Sequence, residues 1–469
     1  MSTSFVEGLR KIVGPENTLT DREHLFVYRC DAAQIFIGNP VAVIFPTSVE
    51  QVSEVVKLCN MEKISFIPRG SGTGLSGGAV PLEGGVVIET SKMNRVIEID
   101  FANERAVVES GLINLQLSAS ISQEGFHYVP DPSSQQACTL GGNIAHNSGG
   151  PHCLKYGVTT SHVLGLEVVL PTGEIVNVGG KSRDIPGYDL TGVFVGSEGT
   201  LGIVTKMTLR IHRKPEAIKT LMAVFATTDD ASNTVSDIIA NGILPAAVEM
   251  MDKLAIKAIE LSQHACSYPK DAGAVLLIEV DGLKDGLERQ IQRIKEICSK
   301  NRAREVREAK DEAERKKFWT GRKGAFPAMG SLSPNYVVQD GVIPRTKLPQ
   351  ALRKINKISE TYGLQIANVF HAGDGNLHPL IAFDLRKPGE KEKAFEASVE
   401  TLKVCIEAGG VITGEHGIGM EKRDVMPLLF SQEDLAAMKM LRDVFNPHGS
   451  CNPSKVLPTK LGCVGPSSY

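Results

Sequence analysis

Residues 68–78, PRGSGTGLSGG, restrict what this 469-residue chain can fold into more than any other stretch. The glycines allow positive φ and a close approach of backbone to ligand. Successive free N–H groups in such a loop form a concavity for an anion such as phosphate. Arg69 adds a fixed charge at its start. The stretch Gly72-Thr73-Gly74-Leu75-Ser76-Gly77 also fits G-x-G-x-x-G. That fingerprint signals a dinucleotide site only when a helix opens at its last glycine. Here Gly78, Ala79, Val80 and Pro81 lead through Gly84-Gly85 into an apolar run at 86–89, which reads as turn and strand. The pattern predicts a pyrophosphate loop outside a Rossmann fold.

The surrounding periodicities alternate. Thr47-Ser48-Val49-Glu50 reads as a capping box, Thr47 facing Glu50, with Val49, Val52, Val55 and Val56 at helical spacing behind it. Strands are predicted at 64–67, 86–89, 95–100 and 106–110, and a helix at 114–123. A hairpin, 164–170 and 174–178, turns at Pro171-Thr172-Gly173. Residues 130–150, PDPSSQQACTLGGNIAHNSGG, are too polar for core and are expected as a long structureless loop, a class that is usually functional. A third glycine cluster, 195–202, leads into an alternating strand at 204–211. Lys214-Pro215 closes this block. Beyond it the glycine clusters stop. Strands at 220–225, 246–250 and 273–280 alternate with helices at 231–240 and 287–300. The whole reads as α/β or α+β.

The chemistry gathers late in the chain. His371-Ala372-Gly373-Asp374-Gly375-Asn376-Leu377-His378 places two histidines seven apart. In one strand they would face opposite ways, but Gly-Asp-Gly-Asn is a turn, and as a hairpin their rings can converge. With Glu415 as third ligand they suit zinc, iron(II) or manganese with positions left open for substrate. Ordinary turn histidines are the alternative. His416, next to Glu415, is the candidate acid/base group. Arg322, in FWTGRKGAFPA, is either a clamp for a substrate carboxylate or a solvated arginine on a helix face.

Composition excludes several classes. With 42% hydrophobic and 22% charged residues the chain is that of a soluble globular protein, and a net charge of -3 gives no footprint for nucleic acid. No run is long and apolar enough for a membrane span. Residues 1–10 lack a signal-peptide pattern. The nine cysteines include no C-x-x-C, which points to reduced thiols, a cytoplasmic setting, and no iron–sulfur cluster held by this chain itself.

Six stretches in this order, PRGSGTGLSGG, GGNIAHNSGG, GSEGTLGIVT, FWTGRKGAFPA, HAGDGNLH and GEHGIG, with the closing CNPSK, carry a resemblance. The chain resembles the FAD-binding oxidoreductases of the vanillyl-alcohol-oxidase type, in the branch of D-2-hydroxyacid dehydrogenases. It is similar, within that branch, to the catalytic flavin subunits of bacterial glycolate oxidases. The resemblance implies an α+β chain, with a two-part FAD-binding domain of the vanillyl-alcohol-oxidase (PCMH) type at 1–215, an α+β cap or substrate domain at 216–410, and a segment at 411–469 that returns to the FAD domain. It implies cofactor contacts at Pro68, Arg69, Gly70, Ser71, Gly72, Thr73, Gly74, Ser76 and Gly77, then at Pro132, Thr139, Gly142, Asn143 and Ala145. Glu198, Gly199 and Ile203 would lie near the adenine half, and Asn452 would close the site.

The first loop lacks the histidine that covalent members carry there, so FAD is expected to be non-covalent. A divalent metal (Zn, Fe or Mn) on His371, His378 and Glu415 would hold the substrate, a small 2-hydroxy acid such as glycolate or D-lactate. His416 would take the hydroxyl proton and Arg322 the carboxylate. Some branches carry a lysine near Val337-Val338-Gln339-Asp340, where this chain has none, which leaves a second carboxylate-binding group open. Electrons would pass to an iron–sulfur or flavin-domain partner subunit or an electron-transfer flavoprotein, with peripheral membrane association through such a partner. Three other functions stay open: a nicotinamide-dependent dehydrogenase, a metal-dependent hydrolase and a non-catalytic flavin-domain subunit. A visible absorption spectrum separates the first of these from a flavoprotein.

Overall fold

The computed structural model describes residues 3–182 and 186–459. The chain divides into two compact units. The first holds the residues up to Gly149, Gly157–Lys214, and the segment that begins at Glu415. The second holds Gly150–Tyr156 and Pro215–Gly414.

In the first unit, α1 (Thr3–Val13) and α2 (Val49–Met61) cover a four-stranded sheet. Its strands are β1 (Thr18–Leu19), β2 (Ala42–Ile44), β3 (Phe66–Arg69) and β4 (Val86–Glu89), in the order β1-β2-β4-β3. β2, β4 and β3 run parallel. β2 and β4 are buried along their length, as the apolar runs AVI and VVIE require. The cap of α2 sits one residue later than the capping box places it. Ser48 accepts from Gln51 N, and Gln51 Oε1 returns to Thr47 N at 2.8 Å. Gln51 stands three residues past this N-cap, and its side chain reaches back to the residue before it.

A second, antiparallel sheet follows. It contains β5 (Val96–Asp100), β6 (Arg105–Glu109), β7 (Val163–Val169), β8 (Ile175–Gly179) and β9 (Ile203–Arg210), ordered β5-β6-β9-β7-β8. The β7–β8 hairpin closes on Gly173 at φ +92, with Gly173 N bonded to Leu170 O. β9 alternates buried and half-buried positions without interruption, the pattern of a sheet with one core face. α3 (Asn114–Ile121) packs on that core. The expected structureless loop at 130–150 is corrected here. It contains α4 (Leu140–His146), N-capped by Thr139, whose hydroxyl accepts from Gly142 N, and ended at Asn147 in the left-handed region.

The second unit is built on one seven-stranded antiparallel sheet. Chain order gives β10 (Ala217–Phe225), α5 (Thr228–Ala240), β11 (Ala247–Asp252), α6 (Lys253–Glu260), β12 (Ala274–Gly282), α7 (Lys284–Lys300), β13 (Glu305–Glu308), α8 (Glu312–Lys323), β14 (Asn335–Val338), α9 (Leu348–Tyr362), β15 (Ile366–His371), β16 (Pro379–Phe383) and α10 (Glu390–Glu407). The strand order is β13-β10-β12-β11-β15-β16-β14. Met251, Leu277, Phe318, Val369 and Leu380 are among the side chains of its core. Each such side chain contributes about 1.5–3 kcal/mol relative to exposure.

The short segment Gly150–Tyr156 is riveted to β12. Lys155 and Tyr156 bond the Asp281 carboxylate. His152 Nε2 lies 3.2 Å from Glu279 Oε1. Glu279 is buried and also accepts from Thr220 Oγ1 at 2.6 Å, Arg315 Nε at 2.9 Å and Trp319 Nε1 at 2.8 Å. Burial pushes its carboxyl up, but His152 and Arg315 outweigh it and hold it far below the ordinary range. The stabilisation is therefore present above the unfolded pKa and lost as pH falls. Removing the charge weakens the bonds from half-buried Arg315, which keeps only Glu312 as a carboxylate partner, a loss of about 1.5–3 kcal/mol. Glu279→Gln is expected to lower the thermal midpoint of the second unit at neutral pH. The gap to wild type should narrow in melts below about pH 4.3, where glutamate in the unfolded chain is protonated.

Candidate active site

In the first unit the three glycine-rich stretches meet. A Cβ on Gly70 would overlap Thr139 Oγ1, the cap of α4. A Cβ on Gly199, at φ +68, would press on Pro68 at 3.1 Å. The third stretch is laced to α4 by Gly196 N to Ile144 O and Glu198 N to Ala145 O, both 2.8 Å. Across residues 71–76 no amide donates to another main-chain group among the described residues. A largely half-buried loop whose amides have no main-chain acceptor among the described residues, beside two further glycine loops, has the donor set that a diphosphate satisfies. By that measure the residues fit a dinucleotide such as FAD.

Several residues expected at the cofactor have other tasks for their side chains. Arg69 is buried and braces the loop from beneath, donating to Cys30 O at 2.9 Å and Ala79 O at 3.3 Å. Its guanidinium lies where a Cβ on Gly72 would go, and Gly72 has φ +69. Asn143 accepts from Asn114 Nδ2 at 3.0 Å, and the Ile203 side chain sits in the core below β3 and β4. Glu198 accepts from Ile418 N at 2.7 Å and Gly419 N at 2.8 Å. Asn452 donates to Gly78 O at 2.9 Å and Glu198 O at 2.8 Å. Ser76 donates to His416 O at 3.0 Å and takes Met420 N on its own carbonyl at 2.8 Å. The GEHGIG and CNPSK stretches are thus stitched to the first loop, and Gly417, at φ +84, gives the bend after His416. His416 Nε2 is 4.0 Å from Glu415 Oε1.

Two further side chains belong to this place. The His146 ring packs against Gly74 and Gly78. Lys455 is buried and donates to Val80 O at 2.8 Å; burial and the nearby Arg423 pull its ammonium down to about 8.

In the second unit, β15 and β16 form the hairpin that carries both histidines. Their ring centroids are 5.1 Å apart and nearly perpendicular. Arg322 is 2% exposed, so the solvated-face alternative is excluded. It can be buried because Glu249, fully buried on β11, meets it. Glu249 Oε2 accepts from Arg322 Nε at 2.7 Å and lies 2.6 Å from Nη2. The other oxygen, Oε1, is 2.8 Å from His371 Nδ1. Burial raises the Glu249 carboxyl, yet Arg322 and His371 bring it below its ordinary value. An ionised carboxylate only accepts, so Nδ1 carries a ring proton, and in the neutral ring Nε2 then carries the lone pair. Asp340, also buried, accepts from Thr413 Oγ1 at 2.6 Å and Gly414 N at 2.9 Å, and lies 3.4 Å from His378 Nε2. In the chain, Thr413 and Gly414 immediately precede Glu415 and His416.

The family profile for FAD linked oxidases, C-terminal domain, matches residues 214–456, and that for an FAD binding domain matches 40–179. The chain belongs to the FAD-linked oxidase family. Among its relatives, this FAD-linked oxidase is 44% identical to glycolate oxidase subunit GlcD of Escherichia coli, over 98% of this chain and 92% of the relative. It is 33% identical to a D-lactate dehydrogenase of Anaerostipes hadrus, over 95% and 96%. Its fold is that of p-cresol methylhydroxylase, with a TM-score of 0.81 at 18% identity, covering 97% of this chain and 96% of that one. That fold is the two-part flavin domain with an α+β cap that the resemblance implies. No described helix is long and apolar enough to cross a membrane.

Sequence reasoning missed Glu249, Asp340 and His146. Glu249 had one signal, a lone acid inside the otherwise apolar strand AVEMMD. Asp340 had none beyond its place after an apolar strand, and His146 lay within a motif read for its glycines.

Proposed function

We propose that this FAD-linked oxidase converts a small 2-hydroxy acid, glycolate or D-lactate, to the 2-oxo acid. One observation carries the reading. A buried guanidinium and two converging imidazoles stand side by side in the second unit, the pair of groups that a carboxylate next to a hydroxyl calls for. The names of the relatives support the substrate class.

FAD, when bound, supplies the two-electron acceptor for the hydride that leaves Cα. Residues 70–77 would take its diphosphate, with Thr139, Gly142 and Ala145 alongside. His371, His378 and Glu415 would hold a divalent ion, with Asp340 beside His378, and that ion would supply Lewis acidity to the substrate hydroxyl. Arg322 grips the carboxylate and orients Cα. Its Nε edge is committed to Glu249, so the substrate meets the Nη1 end of the fork. His416 takes the hydroxyl proton as the Cα–H bond breaks, which leaves a neutral 2-oxo product rather than a cationic one. Electrons then pass to a partner, an iron–sulfur or flavin-domain subunit or an electron-transfer flavoprotein.

The purified protein is expected to be yellow and to release FAD on acid precipitation. Anaerobic D-lactate or glycolate should bleach the visible flavin band. No bleaching by either acid would overturn the reading. Flavin that stays on the precipitated chain would refute the non-covalent link and direct attention to His146, the imidazole packed on the loop.

A further inference from the structure

β11 and β15 pair with Glu249 directly opposite His371. Directly opposed side chains on one face of an antiparallel pair lie about 4.5–5.5 Å apart at Cβ. A carboxylate there reaches the imidazole without strain, and it faces one nitrogen of the ring. The far side of the same carboxylate is met by Arg322 from the last turn of α8. Arg322 Nη2 also comes within 3.5 Å of His371 Nδ1, but Glu249 Oε1 is nearer at 2.8 Å, and an acceptor beats a second donor for an N–H. Glu249 has no exposure to solvent. Among the described residues, Oε1 serves His371 and Oε2 serves Arg322.

We propose that Glu249 is a positioning residue that sets two groups at once. Through Oε1 it fixes the His371 tautomer, with Nε2 presented as a metal ligand. Through Oε2 it holds the Nε edge of Arg322, so that the outer end of the guanidinium faces the substrate carboxylate. One rigid carboxylate thereby ties the metal-binding half of the site to its carboxylate-binding half. Carboxylates that accept from a ligating histidine raise its basicity and lock its orientation, and their loss typically weakens metal binding about 10–100-fold. The inference rests on the metal and carboxylate roles proposed above for His371, His378 and Arg322.

The test uses FAD-loaded enzyme stripped of metal by a chelator and titrated with Zn2+. Glu249→Gln keeps the shape and removes the charge. It is expected to weaken Zn2+ affinity by about 10–100-fold. It should also raise KM for the hydroxy acid in metal-saturated enzyme, with FAD content retained. In a His371→Ala background the same change should add no further loss of Zn2+ affinity, because the ring through which Glu249 acts is gone. Additive losses would show a general structural role and overturn the proposal. His378→Ala separates this inference from the reading beneath it. If His378→Ala loses Zn2+ while Glu249→Gln binds it like wild type, Glu249 is not a positioning residue. If His378→Ala also binds Zn2+ like wild type, the metal reading falls and the inference with it. Should the glutamine variant yield no folded holoprotein, Glu249→Asp, which keeps the charge but draws it back, is read by the same two criteria.

Discussion

His416→Asn is expected to keep its FAD and its metal and to lose turnover by at least about a hundredfold, the lower end of what a positioned general base contributes. The variant is a clean one. The main chain at 416 is held by Ser76, which donates to the His416 carbonyl, and the bend that follows belongs to Gly417. Neither depends on the imidazole. Asparagine keeps a polar side chain of similar reach but cannot take a proton near neutral pH. The loss should therefore fall on the step that breaks the Cα–H bond. Stopped-flow mixing with substrate without oxygen isolates that step as the rate of flavin reduction. Fast reduction with slow reoxidation would assign the proton to another acceptor and His416 to electron exit.

Arg322→Lys is expected to raise KM for the hydroxy acid and lower kcat/KM by an amount worth on the order of 2–5 kcal/mol. Flavin content should hold. The size follows from geometry. Arg322 uses its Nε edge on Glu249 and offers the rest of the fork to substrate, whereas an ammonium on a flexible stem cannot face both carboxylates in fixed directions. It would settle on Glu249, which is already in place, and leave the substrate carboxylate underserved. Steady-state kinetics over a range of acid chain lengths would show the loss for every substrate carrying the 2-hydroxy carboxylate. Unchanged KM would mean that the carboxylate is gripped elsewhere.

Part of the site stands out in the sequence, and its legibility has a physical basis. A turn of Gly-Asp-Gly-Asn between apolar runs allows few structures, so the hairpin carrying His371 and His378 could be read directly. The first glycine loop was legible because no helix pattern follows it. Three features were hidden. α4 was masked by two glycines in a seven-residue helix, each costing about 1 kcal/mol of propensity relative to alanine. Its signal was the cap at Thr139 rather than the helix itself. Arg322 lies among Glu314, Arg315, Lys316, Lys317 and Lys323, a neighbourhood that reads as solvated, and its burial is decided by a partner 73 positions away. Glu249 meets His371 only because β11 pairs with β15 in one register, and no local spacing encodes a pairing across 122 positions.

The segment Gly150–Tyr156 has a consequence for how the chain is made. It emerges from the ribosome as part of a flavin domain in progress, yet its His152 needs Glu279, which is 127 residues further on. The first unit waits longer still, because Glu198 receives Ile418 N from 220 residues downstream. At roughly 5–20 residues per second, that interval is on the order of 10–40 s of translation. Throughout it the glycine loops lack the strand of chain that stitches them, and the nascent domain exposes an unfinished core. The first unit therefore cannot be completed until the segment that begins at Glu415 has been made.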